Sequence, residues 1–358
     1  MRRVVAVALL VVAGVLVGAG AVEIFLRVTR PAAPDLRALH LAEPTQPWLY
    51  RLRPGAEAEL DKTAGIHYRI NANGFRGPAY PQARDAGAFR VAVLGDSLTF
   101  GYGVQENESY TALLEAELGR LLAPRKVEVL NFGVGGYNPY NEVALFEGIA
   151  AGYAPDLVLI QFCINDLNDP RLHFDAHTLR LLDLPDDAFP DPRMRTLPMP
   201  ERSPLAFCAG RLRLCDLLQH AMYENRADRR VLAQTVAERR SLGDPERAWL
   251  HAQYGKLAQW ATAHGAGFGV IVFPYPKQLH DPSRDGVAQG IAALGRDDRF
   301  AVIDLTPAFR AASPERVGPL FLDLWHPTPA GHQVAADALA AELVRQGLVP
   351  AVHGVGAR

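Results

Sequence analysis

Three short apolar segments of this chain each run directly into a polar or glycine-containing segment, and this repeated order constrains the fold more than any other feature. They are Arg90–Leu94, Val127–Leu130 and Leu157–Phe162. Short, nearly uninterrupted apolar runs are typical of strands that are buried in a parallel sheet. The same pattern predicts later strands at Gly269–Phe273 and Ala301–Asp304.

Helix patterns separate the predicted strands. They cover Tyr110–Leu122, Asn141–Ala151 and Pro329–Gln346, and Thr328 is a candidate N-cap for the last of them. Strands that alternate with helices predict an α/β fold in which helices cover both faces of a parallel sheet.

The polar segments after the first three strands contain candidate catalytic residues. Ligands of a parallel α/β sheet bind at the carboxyl ends of its strands, where Ser97, Gly136 and Asn165 are expected. Ser97 is a candidate nucleophile, while a glycine-rich loop and an amide side chain can both donate hydrogen bonds to an oxyanion. Each segment alone is also compatible with an ordinary turn, in which Asp96 or Ser97 caps a helix and Asn165 forms an Asx turn.

Asp323 and His326 supply the remaining groups of a nucleophilic hydrolase. Serine is a poor nucleophile at neutral pH, so it needs a base to take its proton and a carboxylate to hold that base in the right tautomer. An aspartate close to a histidine can bind Nδ1–H and leave Nε2 free to act on Ser97. The alternative is a capped turn before the last helix. His332 is a competing base, but it falls inside that helix, where a packed or solvent-facing histidine is the simpler interpretation.

Taken together, the four segments resemble the sequence blocks of the SGNH (GDSL) hydrolases, a family of serine esterases, and the whole chain resembles its membrane-anchored bacterial type. The matching residues are Gly95-Asp96-Ser97-Leu98, Gly136, Asn165-Asp166 and Asp323-Leu324-Trp325-His326, with Ile164 where the family often has glycine. The resemblance implies a flavodoxin-like three-layer α/β/α sandwich over about residues 89–348. It also implies Ser97 as nucleophile, His326 as base and Asp323 as its orienting partner. The implied oxyanion hole consists of the Ser97 and Gly136 N–H groups and the Asn165 side chain, and no cofactor or metal is required.

Residues 168–242 interrupt the alternation of strands and helices. Prolines recur in the first part of this stretch, and a charged helical pattern covers Asp216–Arg240. Because the stretch is too long for a plain connection, we expect a lid-like or substrate-binding insertion in the hydrolase domain. A short tail is expected at residues 349–358.

The N-terminus predicts a membrane segment. Two arginines precede an apolar run from Val4 to Val22. At about 1.5 Å per residue, this run just spans the ~30 Å hydrocarbon core of a bilayer. The leading arginines favour an N-terminus in the cytoplasm and a chain that continues on the other side. An uncleaved anchor over residues 1–26 is favoured over a cleaved signal peptide, for which Ala19-Gly20-Ala21 is a candidate cleavage site.

Residues 27–88 lie between the anchor and the sheet. The first part, to about residue 60, is rich in proline, alanine and charge and predicts a weakly structured linker. His67–Gly77 predicts a short strand or hairpin packed on the main domain, because an alternating pattern runs into the turn signal Asn73-Gly74.

Composition excludes one class of function. The formal net charge is -2 and aromatic residues are not interleaved with basic runs, so nucleic acid is not an expected partner. Cys208 and Cys215 are close enough in sequence for a small-loop disulfide, and separate buried thiols are as compatible with the sequence. No Cys/His cluster has the spacing of a zinc site.

The expected function is that of a membrane-anchored, extracytoplasmic serine esterase acting on an ester-bearing small molecule, lipid or glycan. Cleavage of the N-terminal segment would make it a secreted protein instead. The alternatives are an O-acyltransferase acting on exported polysaccharide and a non-catalytic glycan-binding protein. Tyr137, Tyr140 and Trp325 flank the predicted site and either stack on a sugar ring or pack in the core. The sequence makes no prediction of the oligomeric state.

Overall fold

The computed structural model describes residues 2–29, 36–61, 65–168, 185–190, 208, 212, 214–215, 217–218, 238–312 and 318–350. The chain divides into two compact units, one formed by residues 1–35 and 197–234 and the other by residues 36–196 and 235–358. All of the candidate catalytic residues belong to the second unit.

The strands in the described residues fall into one central sheet and two small hairpins. In chain order they are β1 (His40–Ala42), β2 (Tyr50–Leu52), β3 (Glu57–Asp61), β4 (Ile66–Arg69), β5 (Phe89–Gly95), β6 (Val127–Gly133), β7 (Leu157–Phe162), β8 (Gly267–Val272) and β9 (Ala301–Asp304). The central sheet has five parallel strands in the order β6-β5-β7-β8-β9. The predicted parallel sheet is therefore confirmed.

The strand order explains where a site can form. The chain passes from β5 to β6 on one side and then returns to place β7 on the other side of β5. Such a reversal opens a crevice at the carboxyl ends of the strands, which is where ligands bind in open α/β sheets. Ser97, Gly136 and Asn165 follow three adjacent strands at this edge.

Burial explains the continuous apolar pattern of the central strands. Every residue of β5, β6 and β7 is buried, so the strands have no solvent-facing side that would require alternation. β6 continues to Gly133, beyond the predicted end at Leu130. The polar residue Asn131 marked the predicted end of the strand, but its side chain donates hydrogen bonds to Thr99 and Thr111, and these bonds allow it to be buried inside β6.

Helices of the second unit pack on the sheet in two groups. The helices in the described residues are α1 (Arg2–Thr29), α2 (Ser97–Phe100), α3 (Tyr110–Leu121), α4 (Pro139–Gly148), α5 (Asp244–His264), α6 (Pro276–His280), α7 (Gly286–Asp298), α8 (Thr306–Ala312) and α9 (Pro329–Arg345). α9 packs against α3 and α8, whereas α5 packs against α4 and α7. The two groups form the outer layers of a three-layer α/β/α sandwich, as predicted.

The predicted helices are present with small shifts, and two long ones were missed. Thr328 caps α9 as predicted, because its hydroxyl accepts the N–H of Gly331 at 3.2 Å. α5 and α7 were not predicted. Leu250, Tyr254 and Leu257 of α5 are buried and recur at helical spacing, so the signal was present in the sequence.

α1 is long and apolar enough to cross a membrane. Its membrane-compatible part covers Arg3–Thr29, and the most apolar 18-residue stretch within it has a mean hydropathy of 2.7. A transmembrane anchor and a signal sequence both have this character. The Glu23 carboxylate accepts a hydrogen bond from the backbone N–H of Leu214 at 2.9 Å, and both residues belong to the first unit.

Residues 36–61 form ordered strands where the sequence predicted a weakly structured linker. They form β1, β2 and β3 and contribute buried Leu39, Tyr50 and Leu52 to the core, so the prediction of a weakly structured linker is wrong for these residues. Short apolar segments between charged residues concealed this packing. The prediction of a strand or hairpin at His67–Gly77 is confirmed, because β4 pairs with β3 and Ile70 pairs with Arg76 across the turn.

Most of the predicted insertion at residues 168–242 lies outside the described residues, as do the tail at 351–358 and most of the charged helical pattern at Asp216–Arg240. Cys208 and Cys215 form a disulfide with a Cα–Cα distance of 5.9 Å, which decides between the two interpretations of these cysteines. Cys163 is a buried free thiol.

Candidate active site

Ser97 is the first residue of α2 and follows β5 by a single residue. The turn requires glycine at position 95, because a Cβ there would overlap the side chains of Thr99 and Gln161. Asp96 is fully buried and caps α2 by accepting the N–H of Leu98 at 2.8 Å. Ser97 is therefore held at the carboxyl end of the sheet by a short capped helix.

Ser97, His326 and Asp323 form one chain of hydrogen bonds. The Oγ of Ser97 lies 2.8 Å from Nε2 of His326, and Nδ1 of the same ring lies 2.7 Å from Oδ2 of Asp323. The serine and the histidine are 229 positions apart in sequence, so the fold brings them together. This arrangement fixes the tautomer: Nδ1 donates its proton to the carboxylate, and Nε2 is left to accept one from the hydroxyl.

A tight loop before α9 presents both partners of Ser97. Oδ1 of Asp323 accepts the backbone N–H groups of Trp325 at 2.8 Å and His326 at 2.9 Å, while Oδ2 stays on the imidazole. The backbone N–H of Leu322 donates to the carbonyl of His326 at 2.7 Å and closes the loop. The aspartate thus acts both as the cap of this turn, which was the plainer alternative, and as the partner of the histidine ring.

The environment of Asp323 favours its charged form. Partial burial alone would raise the pKa of this carboxyl, but the hydrogen bonds from the ring and backbone of His326 outweigh it and lower the pKa to about 2. Asp323 is therefore ionised at neutral pH. The His326 side chain is 15% exposed and that of Asp323 is 47% exposed, so the ring is the more enclosed of the two.

Asn165 lies on a 3-10 turn directly after β7, and a buried carboxylate orients its amide. Its Nδ2 donates to Oδ2 of Asp96 at 2.8 Å. Burial raises the pKa of Asp96, while the hydrogen bonds from Leu98 and Asn165 act in the opposite direction. Since Nδ2 carries two N–H bonds and one is used by Asp96, the other remains for a ligand. Ile164, where the family often has glycine, is buried in the core.

Gly136 lies in the loop after β6, in a backbone conformation with φ of 81° that favours glycine. The loop is bound to the nucleophile turn, since the N–H of Val134 donates to the carbonyl of Gly95 at 3.0 Å. The side chain of Asn131 adds a second link by donating to the carbonyl of Thr99 at 2.7 Å. Within the described residues, the N–H groups of Ser97 and Gly136 donate to no protein acceptor, so both are available to a ligand.

His332, the competing base, does not join this site. It is completely buried in α9, and its Nδ1 accepts the backbone N–H of Tyr110 at 3.2 Å. Burial, followed by the nearby charges of Arg76 and His326, lowers its pKa to about 3. His332 is thus a neutral packing residue, in agreement with the packed interpretation.

Two of the three flanking aromatic residues are not available to stack on a sugar ring. Tyr137 is 1% exposed and donates its hydroxyl proton to the carbonyl of Tyr50, and Tyr140 is also buried. The sugar-stacking interpretation is wrong for these two tyrosines, because their rings belong to the core. Trp325 is partly buried, with its ring 6.2 Å from that of Tyr275.

Sequence reasoning missed two contacts at the site. It gave Asp96 no role beyond a helix cap, although this residue also orients Asn165. It passed over Tyr102, whose ring centroid lies 4.4 Å from that of His326. Tyr102 lies between Gly101 and Gly103, which both have φ of 82°, and this position between two glycines was the available signal in the sequence. Among the described residues, no group of His, Cys, Asp and Glu is arranged to hold a metal ion.

The fold is a three-layer α/β/α sandwich of the SGNH type. The sequence matches the GDSL-like Lipase/Acylhydrolase family over residues 93–288, more than half of the chain, and the protein belongs to this family. It is therefore an ester hydrolase of the SGNH/GDSL type. The matched region ends before Asp323 and His326, so their assignment depends on the geometry.

Solved structures of other enzymes are similar to this chain at a distance. TesA is 16% identical, with a TM-score of 0.43, and the match covers 73% of this chain and 99% of TesA. LAE5, an α/β hydrolase from the metagenome of Lake Arreo, Spain, is 18% identical, with a TM-score of 0.44 and coverages of 75% and 99%. A catalytic mutant of Axe2, an acetylxylan esterase from Geobacillus stearothermophilus, is 16% identical, with a TM-score of 0.43 and coverages of 73% and 96%. The comparison with curated proteins found no matching sequence. These likenesses are too remote to transfer a substrate or the role of a residue.

Proposed function

We propose that this protein is an extracytoplasmic serine esterase that cleaves carboxylic esters with a Ser97–His326–Asp323 triad. The observation that carries the proposal is the pair of hydrogen bonds that places the His326 ring between the Ser97 hydroxyl, at 2.8 Å, and the Asp323 carboxylate, at 2.7 Å. This order of groups is the one that general-base activation of a serine requires.

In the acylation half of the reaction, Nε2 of His326 accepts the proton of Ser97 as Oγ attacks the ester carbonyl carbon. The imidazolium that forms is stabilised by the ionised Asp323. As the tetrahedral intermediate collapses, the ring returns this proton to the alcohol oxygen, the ester C–O bond breaks, and the acyl group stays on Ser97. Deacylation repeats these steps with water as the nucleophile and releases the carboxylic acid.

The negative charge of the tetrahedral intermediate needs hydrogen-bond donors. We assign this role to the N–H groups of Ser97 and Gly136 and to the Nδ2 of Asn165. Support comes from their position after three adjacent strands and from the free N–H bonds described above. Loss of one such donor typically costs about 10²- to 10³-fold in kcat.

The surroundings of the triad favour a substrate with an apolar group beside the ester. Leu322 and Leu324, on either side of Asp323, are 49% and 56% exposed. Exposed leucines next to a reacting centre are suited to contact an acyl chain or another apolar substituent. Both an O-acylated glycan and a lipid carry an apolar acyl group next to an ester.

Two features support a location outside the cytoplasm. α1 is apolar over a length that can span a bilayer, and the basic residues Arg2 and Arg3 precede its apolar run. The Cys208–Cys215 disulfide is of a kind that persists in oxidising compartments. An uncleaved α1 would hold the enzyme at the membrane, and this remains our proposal for the intact chain.

The test is turnover by the purified full-length chain, in detergent, of aryl esters of graded acyl length and of acetylated oligosaccharides. We expect Ser97→Ala to lower kcat by at least about 10³-fold while the thermal unfolding midpoint stays unchanged. Ser241→Ala, a substitution of an exposed serine, is the matched control and should keep wild-type activity. Turnover by Ser97→Ala at the wild-type rate would overturn the proposal. Product analysis with an added sugar acceptor distinguishes hydrolysis from acyl transfer.

A further inference from the structure

The segment that precedes the central sheet contacts both loops of the candidate site. Residues 36–61 and 65–77 form β1 to β4 and the turn that follows, and they lie before the region matched to the family. We propose that this segment, called the brace below, positions the nucleophile loop (residues 97–104) and the oxyanion loop (residues 134–138) through Tyr50, Tyr68 and Arg76. The inference rests on the catalytic roles proposed above for Ser97, His326 and Gly136.

Arg76 binds the end of the nucleophile helix. The residue is 2% exposed, and its guanidinium donates to the carbonyls of Phe100 at 2.8 Å, Gly101 at 2.5 Å and Val104 at 2.6 Å. A planar group with several donors can fix three carbonyls of one loop relative to one another. Burial lowers the pKa of Arg76 to about 10, which leaves the guanidinium charged at neutral pH.

Tyr68 binds the same loop at a second point. Its buried hydroxyl accepts the backbone N–H of Gly103 at 2.7 Å, and its ring lies 4.6 Å from the guanidinium carbon of Arg76. Gly101 and Gly103 are both in the left-handed region, and because glycine can also adopt many other conformations, contacts from outside the loop are needed to hold the backbone there. The two contacts of the brace therefore hold the loop on either side of Tyr102.

Tyr102 carries this constraint to the catalytic base. The ring of His326 is held in its plane by Ser97 on one nitrogen and Asp323 on the other, and the ring of Tyr102 lies against it with the centroids 4.4 Å apart. The contact limits rotation and tilt of the imidazole. An aromatic face also favours the cationic ring that forms during turnover. A displacement of about 1 Å at a reacting group can cost on the order of 10²-fold in rate.

Tyr50 extends the brace to the other loop. Its hydroxyl donates to the carbonyl of Gly135 at 2.9 Å, and its own carbonyl accepts the hydroxyl proton of Tyr137. The neighbours on both sides of Gly136 are thus bonded to one residue of the brace. The backbone of Arg76 also pairs with Asn131 near the end of β6. One segment therefore sets the position of the base and of a proposed oxyanion donor together.

The structure offers a matched control for these contacts. Tyr153 is 3% exposed, and its hydroxyl accepts the Nδ2 proton of Asn73 at 3.0 Å. It ties the same segment to the domain, but its backbone carbonyl accepts from Arg90 near the start of β5, away from the carboxyl ends of the strands. Tyr→Phe substitution at positions 50, 68 and 153 removes one buried hydroxyl in each case.

The experiment measures kcat, KM and denaturant unfolding for the full-length chain carrying Tyr50→Phe, Tyr68→Phe or Tyr153→Phe. We expect the first two to lower kcat about tenfold with KM changed less than about twofold, because the site loses preorganisation and not binding surface. Tyr153→Phe should keep kcat within about twofold at a similar shift of the unfolding midpoint. The unfolding midpoints identify any variant that is partly unfolded in the assay. The kcat values of all variants are therefore compared at a temperature where every variant is folded.

Equal kcat values for all three variants, in an active wild-type enzyme, would overturn the brace. The brace would also be overturned if all three variants, including Tyr153→Phe, lost kcat in proportion to the fall in their unfolding midpoints. A wild-type chain that does not become acylated on Ser97 would instead overturn the proposed function, and the brace with it. The two failures are distinguishable because acylation of Ser97 is measured on the wild type alone.

Discussion

The amide of Asn165 donates to the buried carboxylate of Asp96 at 2.8 Å, so the residue before the candidate nucleophile orients a candidate oxyanion donor. Replacing Asp96 by asparagine keeps the helix cap, since an amide oxygen can still accept the N–H of Leu98. The new NH₂ group then faces Asn165, and the Asn165 amide is expected to turn its oxygen toward it. We predict a loss of kcat of about 10²-fold, measured on an aryl ester.

A double-mutant cycle checks this explanation. If Asp96 acts through Asn165, Asp96→Asn combined with Asn165→Ala should be no slower than Asn165→Ala alone. Multiplicative losses would contradict the coupling and would point to separate roles.

Asp323→Asn tests the carboxylate partner of His326. An amide can donate to Nδ1 and so favour the wrong tautomer of the ring, which leaves Nε2 protonated beside Ser97. We predict a fall in kcat of about 10³- to 10⁴-fold with the fold intact, measured by steady-state kinetics and circular dichroism. Wild-type rates in this variant would exclude Asp323 from the triad.

The pH dependence of stability follows from the same residue. The pKa of Asp323 is lowered from its ordinary value of 3.8 to about 2, so its ionised form stabilises the folded protein above pH 3.8. That stabilisation is lost as the pH falls from 3.8 toward 2. Because the side chain is 47% exposed, we expect less than about 1 kcal/mol. Urea unfolding of wild type and Asp323→Asn between pH 2 and 6 should show their difference shrink on acidification; a constant difference would contradict it.

His326→Gln and His332→Gln should separate catalysis from packing. We predict that the first loses turnover while keeping its stability, and that the second keeps most of its turnover while unfolding more easily. The pKa of His332 is lowered to about 3 from an ordinary value of 6.5. Its neutral form therefore stabilises the fold above pH 6.5, and this contribution is lost as the pH falls from 6.5 toward 3. Unfolding midpoints across this range should fall less steeply for His332→Gln than for wild type. An inactive but stable His332→Gln would contradict the assignment.

The apolar N-terminal helix predicts that the protein is bound to a membrane. If α1 is an uncleaved anchor, the chain should stay in the membrane fraction after carbonate extraction and begin at its own N-terminus by mass spectrometry. Replacing two leucines of α1, such as Leu9 and Leu16, by arginine should release it. A soluble wild-type protein that begins after Ala21 would show a cleaved signal instead.

Much of the central sheet could be predicted from the sequence because its strands are buried on both faces. Their apolar runs are continuous, and the bounds of β7 and β9 agree with the structure. Asn131 shows the limit of this signal. It is a polar residue inside a strand, and only its hydrogen bonds to Thr99 and Thr111 explain why burial is tolerated there.

The groups that carry the proposed chemistry were predictable for a different reason. Each follows a strand or precedes a helix, and a local turn fixes its position. The supporting contacts were not predictable, because they join distant parts of the chain: the hydroxyl of Tyr68 binds the N–H of Gly103, and that of Tyr50 binds the carbonyl of Gly135. Tyr50 lies in a part of the chain whose short strands and high charge resembled a linker, whereas Tyr68 lies in the predicted hairpin, whose contacts with the site the sequence did not reveal.

The most direct measurement of the central claim is the site and rate of reaction with a fluorophosphonate, followed by mass spectrometry of the labelled peptide. We expect one adduct, on Ser97, which is absent in Ser97→Ala and forms at least about 10²-fold more slowly in His326→Gln. An adduct on another residue, or an equal rate of labelling without the imidazole of His326, would contradict it.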